Sequence, residues 1–427
     1  MHKRLIIPGF IILLSFSFTA SAQKEINSPY ARFNIGAPEP QGPFRSRGMG
    51  GIGTGMRDNN TIHYMNPASY SSLDTNSFAF DFGFDFGLNL LTEGDLKYTS
   101  NDVNFNHIFM AFPIARGWGI ATGIIPVSHG FYNISEEMKL GDSGYDPLTG
   151  PYKTYYKGEG GFSNFFLGTG VNITKNFSAG INMTVMFGVI DRNYSLQFDD
   201  LENYYHNSAN EKLKLRGINF DYGIQYRSQI KDDYFLNAGF SMTSGKNYKS
   251  DYNYLAIRTS AYNAVDTVAF TSENSAPVFL PDTYRSGISF GKKNKFTTGF
   301  DYVASAWSKS KIPGYSGYAA DTKRYMWGIE YIPEKFSNFS LLKRIEYRFG
   351  AHMGDNYLVI NGEQVREMGV SFGVGIPMRR SLSRTNLFID YTKKSGPEAA
   401  GLHTERLFTI GGSLNIYDFW FIQRKYK

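Results

Sequence analysis

The sequence predicts an all-β protein, a transmembrane antiparallel β-barrel of about fourteen strands with an N-terminal hatch segment in its lumen. Three observations predict this fold: a leader for export, strands in which every second residue is apolar, and connections that alternate between short and long. A soluble β-sandwich would share the composition. It would not need the regular alternation of connection lengths, which is typical of outer-membrane barrels.

Residues 1–22 have the three parts of a secretory signal peptide. Lys3 and Arg4 form a basic start, residues 5–18 are mostly apolar, and Ala20-Ser21-Ala22 is a small-residue cleavage site. The alternative, a membrane anchor, is disfavoured because the apolar stretch is short and interrupted. Since no later stretch reaches ~18 consecutive apolar residues, the exported chain must cross a membrane as a barrel if it crosses one.

Residues 23–77 do not resemble barrel wall, because they are rich in Gly, Pro, Ser and Asn and show no sustained alternation. A barrel of this size has a lumen that must be filled or left open as a pore. We therefore expect this segment to fold inside the barrel as a hatch. A disordered or periplasm-facing arm is the open alternative.

The barrel is predicted over residues 78–416. In its first strand the even positions from Phe78 to Leu90 are all apolar, and the odd positions are small or polar. Because side chains alternate across a strand, one face of this segment is apolar and the other polar. Similar patterns predict strands at 78–90, 103–114, 117–128, 161–174, 177–190, 213–229, 232–245, 280–291, 296–307, 322–332, 344–354, 365–378, 384–392 and 405–416.

The connections after even-numbered strands are short, and those after odd-numbered strands are long, notably 129–160, 191–212 and 246–279. Short periplasmic turns and long extracellular loops are the outer-membrane pattern, and an even strand number leaves both termini in the periplasm. The connection at 333–343, which follows the tenth strand, is longer than the other connections after even-numbered strands. Residues 417–427 form an aromatic and basic tail, which we interpret as an interfacial anchor on the periplasmic side.

Composition excludes several functions. The chain has no Cys, which removes disulfides, thiol catalysis and thiolate metal sites, and its net charge of +6 is spread along the chain without a stripe for nucleic acid. Residues 48–53 satisfy G-x-G-x-x-G but lack the strand and helix of a dinucleotide site. Scattered His residues and the absence of a nucleophile elbow argue against an enzyme. We expect no cofactor and no metal.

The segment from Gly48 to Tyr70 reads GMGGIGTGMRDNNTIHYMNPASY, with a Gly-rich opening (Gly50, Gly51, Gly53) and an Asn66-Pro67-Ala68 motif just before the first strand. In this order, and ahead of fourteen strands, it resembles the hatch of the FadL-type outer-membrane transporter family. The resemblance implies passive uptake of hydrophobic small molecules, long-chain fatty acids or hydrocarbons, through the lumen and past the hatch.

Pro126 lies in the predicted third strand. Proline cannot donate to a β-ladder, so in a closed barrel it must interrupt pairing and bend the wall. In the family that this chain resembles, a kinked third strand opens a lateral hole, which makes Pro126 a candidate lateral gate. The alternative is that Pro126 simply ends the strand near Ser128.

Charges of both signs are predicted to face the lumen. Buried ions need partners, so pairing with hatch residues such as Arg45 is the favoured interpretation. Arg285 and Arg348 are alternative contacts for a ligand carboxylate, since Arg suits bidentate carboxylate binding. The full predicted set is Asp81, Asp85, Asp221, Asp301, Glu330, Glu346, Glu367, Arg285, Arg324 and Arg348.

The predicted molecule is a monomer in the bacterial outer membrane whose partners are outer-membrane lipid and a hydrophobic small-molecule ligand. A second function stays open. Relatives of the FadL-type family in Bacteroidota-type bacteria include PorV-like barrels of type IX protein secretion. By that resemblance the long loops would dock or carry proteins as subunits of a secretion complex.

Overall fold

The computed structural model describes residues 28–93, 96–142, 144–200, 204–231, 233–260, 262–315, 319–378, 381–396 and 403–419. Over these residues the chain forms a closed barrel of fourteen antiparallel strands, as predicted. Three strands are interrupted once, and each counts as one strand in two segments. The strands are β1 Ser77–Glu93, β2 Leu96–Ala115, β3 Trp118–His129 with Tyr132–Met138, β4 Tyr152–Asn172, β5 Phe177–Phe198, β6 His206–Lys231, β7 Tyr234–Thr243 with Lys246–Thr259, β8 Val265–Leu280 with Thr283–Lys292, β9 Phe296–Ser305, β10 Thr322–Tyr331, β11 Glu346–Ile360, β12 Glu363–Pro377, β13 Arg384–Ser395 and β14 Thr404–Phe419.

Each strand pairs with its sequence neighbour, and β14 pairs with β1 from Thr404–Thr92 to Phe419–Ser77, which closes the barrel. The two faces of the wall differ as the alternation predicts. In β1, Phe84 and Leu88 are exposed on the outer surface, whereas Asp81 and Asp85 are buried on the lumen side. An apolar outer face with a polar lumen is the arrangement of a barrel in lipid.

Several strands are much longer than predicted. The long loops predicted between them are therefore shorter than predicted. Residues 206–212 belong to β6, and most of 246–279 forms the hairpin of β7 and β8. These extensions lie beyond the apolar band, where neither face meets lipid. The backbone ladder continues there without the hydrophobic alternation that marks a strand in a sequence.

The barrel has a turn end and a loop end. The turn end carries Ser77, Phe419 and the connections that follow even-numbered strands. One of these, residues 332–345 between β10 and β11, is long and contains the one-turn helix Leu341–Arg344. The loop end carries the connections that follow odd-numbered strands.

Residues 28–76 occupy the lumen as a hatch. They contain the 3-10 turns Pro29–Arg32 and Pro67–Ser72, the one-turn helix Phe44–Arg47, and a short hatch strand, Ala37–Pro38. Phe44, Met49 and Ile52 are fully buried between hatch and wall. Within the described residues, no helix is long and apolar enough to cross a membrane.

Two predicted segments fall at the ends of the chain. The predicted signal peptide lies outside the described residues. The predicted tail begins inside β14, which runs to Phe419, and its remainder, 420–427, is also outside the described residues.

Candidate functional site: the hatch, its seat and the β2–β3 gap

The Asn66-Pro67-Ala68 motif lies on wall positions where only glycine fits. A Cβ on Gly223 of β6 would come within 2.2 Å of Asn66 Oδ1, and a Cβ on Gly170 of β4 within 2.3 Å of the Pro67 carbonyl oxygen. A Cβ on Gly180 of β5 would come within 2.5 Å of the Pro67 carbonyl carbon. The wall therefore has a glycine seat into which the motif fits by direct backbone contact.

Asn66 also joins three parts of the molecule through its side chain. Its Oδ1 accepts a hydrogen bond from the backbone N–H of Ala68 at 3.2 Å and so caps the 3-10 turn that begins at Pro67. Its Nδ2 donates to the carbonyl oxygens of Thr54 at 3.0 Å and Ile224 at 3.1 Å. Asn is a preferred N-cap and Pro is favoured at the first helical position, which explains this order of residues.

The Gly-rich opening of the hatch makes a similar close approach on the other side of the lumen. Gly50 and Gly51 have φ values of +69° and +92°, which favour glycine. The Gly50 N–H donates to Ser371 Oγ at 2.9 Å, and the Gly53 and Thr54 N–H groups both donate to Asp301 Oδ2, at 2.8 and 2.7 Å. Asp301 thus accepts hatch backbone donors rather than a cation.

A buried ion-pair cluster fastens the hatch to the wall near the turn end. We define it as Arg45, Asp58, Glu330, Glu346 and Arg348. Arg45 binds Glu330 with two nitrogen atoms, at 2.9 and 2.8 Å, and Asp58 at 2.5 Å. Arg348 Nε donates to the same Glu330 at 2.7 Å, and its Nη2 donates to Glu346. The cluster crosses from hatch to wall and confirms the predicted pairing for Glu330.

One further ion pair and a contact between a carboxylate and a histidine extend these contacts. Arg47 of the hatch contacts Asp85 of β1 at 2.5 Å, so Asp85 also pairs with the hatch, and Arg47 stacks over the ring of Phe388 at 4.5 Å. Within the hatch, Asp58 also contacts His63 Nε2 at 2.9 Å. Burial alone would raise the pKa of Asp58, but Arg45 and His63 outweigh it and hold that pKa well below its usual range. The hatch is therefore held by ionised groups.

The structure separates the two arginines that we considered as ligand contacts. Arg348 is buried, and its guanidinium contacts Glu330, Glu346 and Asn386. These contacts favour the structural alternative for Arg348. Arg285 donates to Thr243 Oγ1 at 2.9 Å and also lines a cavity.

That cavity, of about 190 Å³, lies between the hatch and the wall, and charges of both signs line it. Arg285, Arg324 and Glu367 belong to the predicted lumen set. Sequence reasoning missed Asp390 and Lys394 of β13. Asp390 occupies a lumen-facing position in the alternation of its strand, so the sequence could have predicted it. Lys394 lies beyond the predicted end of that strand. The polar lining includes Glu39, Gln41, Asp85, Asn104, His129, Arg285, Arg324, Glu367, Asp390 and Lys394.

The wall has a gap in its hydrogen-bond ladder beside this cavity. The β2–β3 ladder runs from the turn end only as far as the Ile108–Ile124 pair. β3 continues through Pro126 to His129 and stays paired with β4, with a register shift between Pro126 and Ser128. Pro126 therefore lies within the strand, two residues past the point where β3 leaves β2.

The hatch takes the place of β2 along this part of β3. Pro38 and Ala37 of the hatch strand pair with Ser128 and His129. The Glu39 N–H donates to the Val127 carbonyl oxygen at 2.9 Å, and Gln41 Nε2 donates to the Pro126 carbonyl oxygen at 2.9 Å. Residues 37–41 thus cover the gap from the lumen side.

Comparison with known proteins agrees with this architecture. The CymD monoaromatic hydrocarbon channel superposes with a TM-score of 0.58 at 14% identity, covering 90% of this chain and 98% of CymD. The Ralstonia pickettii toluene transporter TbuX superposes with a TM-score of 0.54 at 13% identity, covering 88% of this chain and 99% of TbuX. A Pseudomonas aeruginosa FadL homologue superposes with a TM-score of 0.56 at 12% identity, covering 88% of this chain and 99% of the homologue.

No curated protein matches this sequence. At such low identities the superpositions establish the fold. The family model described as BamG matches residues 1–427, the whole chain. The chain therefore belongs to the BamG family, and its outer-membrane barrel and hatch have the FadL-type architecture.

Proposed function

We propose that the protein is an outer-membrane channel for passive uptake of hydrophobic small molecules, with a lateral opening between β2 and β3 at Pro126. The observation that carries the proposal is the stretch of β3 past Ile124, which pairs with the hatch strand instead of with β2 in the described part of the chain. Displacing residues 37–41 would connect the lumen cavity with the lipid around the barrel. The solved relatives that are named as hydrocarbon channels or toluene transporters share this architecture.

The cavity bears on the cargo. Its volume of about 190 Å³ is close to that of an engineered cavity of roughly 150 Å³ that takes benzene. A long acyl chain would need the hatch to move further. Because charged side chains line the cavity, a cargo with a polar group is favoured over a bare hydrocarbon, and Arg285 is our proposed contact for a ligand carboxylate.

The absence of Cys from the chain allows a direct test. Pro38 and Ser128 are antiparallel Cα partners, so a Pro38→Cys/Ser128→Cys pair is placed for a disulfide. In proteoliposomes we expect uptake of a fluorescent fatty acid or a radiolabelled aromatic hydrocarbon to stop on oxidation and to return on reduction.

A matched pair within the wall, Thr283→Cys/Ser305→Cys, controls for the cross-link itself. It should leave uptake unchanged under both conditions. Unchanged uptake with the Pro38–Ser128 disulfide closed would refute the lateral route, as would unchanged uptake after Pro126→Val.

A second function, docking or carrying of proteins at the loop end, is favoured by one specific feature. The β7–β8 hairpin extends past the lipid-facing wall, and Val265, Val268 and Phe270 are exposed near its tip. Apolar side chains exposed on a polar extension are typical of protein contacts.

Mass spectrometry of the barrel purified in mild detergent from its own membrane separates the two functions. A stoichiometric fatty acid or hydrocarbon without a protein partner supports the channel. A stoichiometric protein that is lost after Phe270→Ser, with an empty lumen, supports docking.

A further inference from the structure

The turn between β10 and β11, residues 332–345, exposes an unusual number of apolar side chains. Phe339 is 102% exposed, Phe336 75% and Leu342 67%. The turn between β2 and β3, at the same end of the barrel, is only residues 116–117. A tight turn would suffice to join β10 to β11, so the extra residues and their apolar side chains require another explanation.

Both ends of this turn are fastened to aromatic residues on the lipid-facing surface. The hydroxyl of Tyr347 donates to the carbonyl oxygen of Leu342 at 3.0 Å. On the other side, Lys295 Nζ donates to the Pro333 carbonyl oxygen at 2.7 Å and lies 5.2 Å from the centre of the Tyr331 ring. Tyr331 and Tyr347 are exposed on the outer face at the ends of their strands, where aromatic girdles meet lipid headgroups. The turn is therefore held at headgroup level.

The same surface is basic. Residues 292–295 and 332–345 hold six Lys or Arg and one acid, Glu334, which pairs with Lys343 at 3.2 Å. Lys335 Nζ donates to Asn294 Oδ1 at 3.0 Å and so joins the two turns into one patch. Lys292 Nζ lies 5.4 Å from the centre of the outward Tyr234 ring, which places another ammonium at the same level.

We propose that this basic patch, residues 292–295 with 332–345, binds the phosphate headgroups of anionic phospholipid in the leaflet at the turn end. Phe336, Phe339 and Leu342 then lie in the interfacial region of that leaflet, and Arg344 and the exposed lysines, Lys293, Lys295 and Lys343, contact the headgroups. Apolar side chains flanked by cations at one depth are the pattern of an interfacial anchor. Each cation near an anionic surface contributes roughly fivefold in affinity at low salt. The proposal depends on the barrel lying in a membrane and not on its cargo.

The test uses the Cys-free full-length chain. Phe339→Cys is labelled with an environment-sensitive dye, and the protein is placed in nanodiscs of phosphatidylethanolamine with or without phosphatidylglycerol. The lipids carry a quencher near the headgroup. We expect quenching at position 339 that increases with phosphatidylglycerol. Adding Lys343→Gln and Arg344→Gln should raise the phosphatidylglycerol content needed for half-maximal quenching at least about fivefold.

Leu148→Cys, at an exposed position in the connection between β3 and β4, is the matched label and should stay unquenched. A dye at 339 that behaves like the dye at 148 overturns the proposal and leaves the patch free for a protein partner. Quenching at position 339 that changes neither with phosphatidylglycerol content nor with the charge substitutions also overturns the proposal. The headgroup contact would then contribute nothing to the binding of this turn to the membrane.

Discussion

Glu330→Gln tests whether buried ion pairs hold the hatch in place. Glu330 accepts two hydrogen bonds from Arg45 and one from Arg348, and the substitution keeps its volume while removing its charge. Removing one partner from a buried pair costs about 3–5 kcal/mol. Because Arg45 keeps Asp58 and Arg348 keeps Glu346, we expect the lower figure. About 3 kcal/mol corresponds to a roughly hundredfold larger population of undocked hatch.

Hydrogen exchange measures that population. The N–H groups of Gly53 and Thr54 are bonded to buried Asp301, so they exchange only when this part of the hatch leaves its seat. We expect a peptide spanning these residues to exchange about a hundredfold faster in Glu330→Gln. Glu367→Gln is the control, since Glu367 pairs with Arg324 within the wall at 3.2 Å.

Unchanged exchange at Gly53 and Thr54 in a folded Glu330→Gln barrel would show that the ion-pair cluster does not hold the hatch. Equal acceleration in Glu367→Gln would refute the reasoning differently. It would mean that any lumen charge loosens the barrel as a whole.

Three further predictions concern the hatch. Asn66→Ala removes a cap and the amide that joins the Thr54 and Ile224 carbonyl oxygens, although the Thr54 carbonyl oxygen keeps Gln225 Nε2 as a donor. Hydrogen exchange of residues 66–72 should therefore reveal about 2–3 kcal/mol of local destabilisation. Gly350→Ala would place a Cβ 1.9 Å from the Gly50 N–H nitrogen and should raise single-channel conductance in planar bilayers. Gly412→Ala, whose Cβ would meet a Leu side chain at 3.3 Å, should leave conductance unchanged. Burial and the neighbouring Asp85 carboxylate raise the pKa of Glu39 to about 7, above its value in an unfolded chain. Local stability around Glu39 should therefore be highest below about pH 4.5 and fall as the pH rises through 7. Hydrogen exchange of residues 37–43, corrected for the intrinsic exchange rates, should show this loss of stability. Glu39→Gln should abolish the pH dependence.

The sequence predicts the part of each strand that crosses the membrane, because contact with lipid restricts the residue types there. An outward side chain in the membrane must be apolar, so Phe84, Leu88 and their equivalents mark the strands and the closed barrel unambiguously. Beyond the apolar band, outward side chains no longer have to be apolar. The extension of β6 through residues 206–212 is fixed by backbone pairing with β5 and β7, which leaves no period in the sequence.

For the site, residue identity predicted more than position. Pro126 predicts an interruption of the ladder because proline lacks the backbone donor, and the Asn66-Pro67-Ala68 motif indicates a hatch through its resemblance to the FadL-type family. The sequence predicts that Glu330 pairs with a hatch residue, with Arg45 among the candidates, but it does not single out this pair, since the two residues are 285 positions apart. Arg348 is equally suited to a ligand or to a wall carboxylate until the structure shows Glu330 and Glu346 beside it.

The strengths of the hatch contacts indicate which part of the hatch moves. The segment from residue 44 to residue 72 is held by the ion-pair cluster and the glycine seat, and the Tyr357 hydroxyl donates to the Gly36 carbonyl oxygen on the other side. Between them, the covering stretch is held by the pairing of Ala37 and Pro38 with β3 and by the Glu39 and Gln41 hydrogen bonds. Hydrogen bonds of this kind contribute about 1 kcal/mol each, whereas removing one partner from a buried ion pair costs about 3–5 kcal/mol. Ionising Glu39 would oppose docking by at most about 3 kcal/mol, because its side chain is 22% exposed and so keeps part of its contact with solvent. We therefore propose that residues 38–41 leave the β2–β3 gap while the rest of the hatch stays seated, in which case a lateral opening needs no unplugging of the barrel.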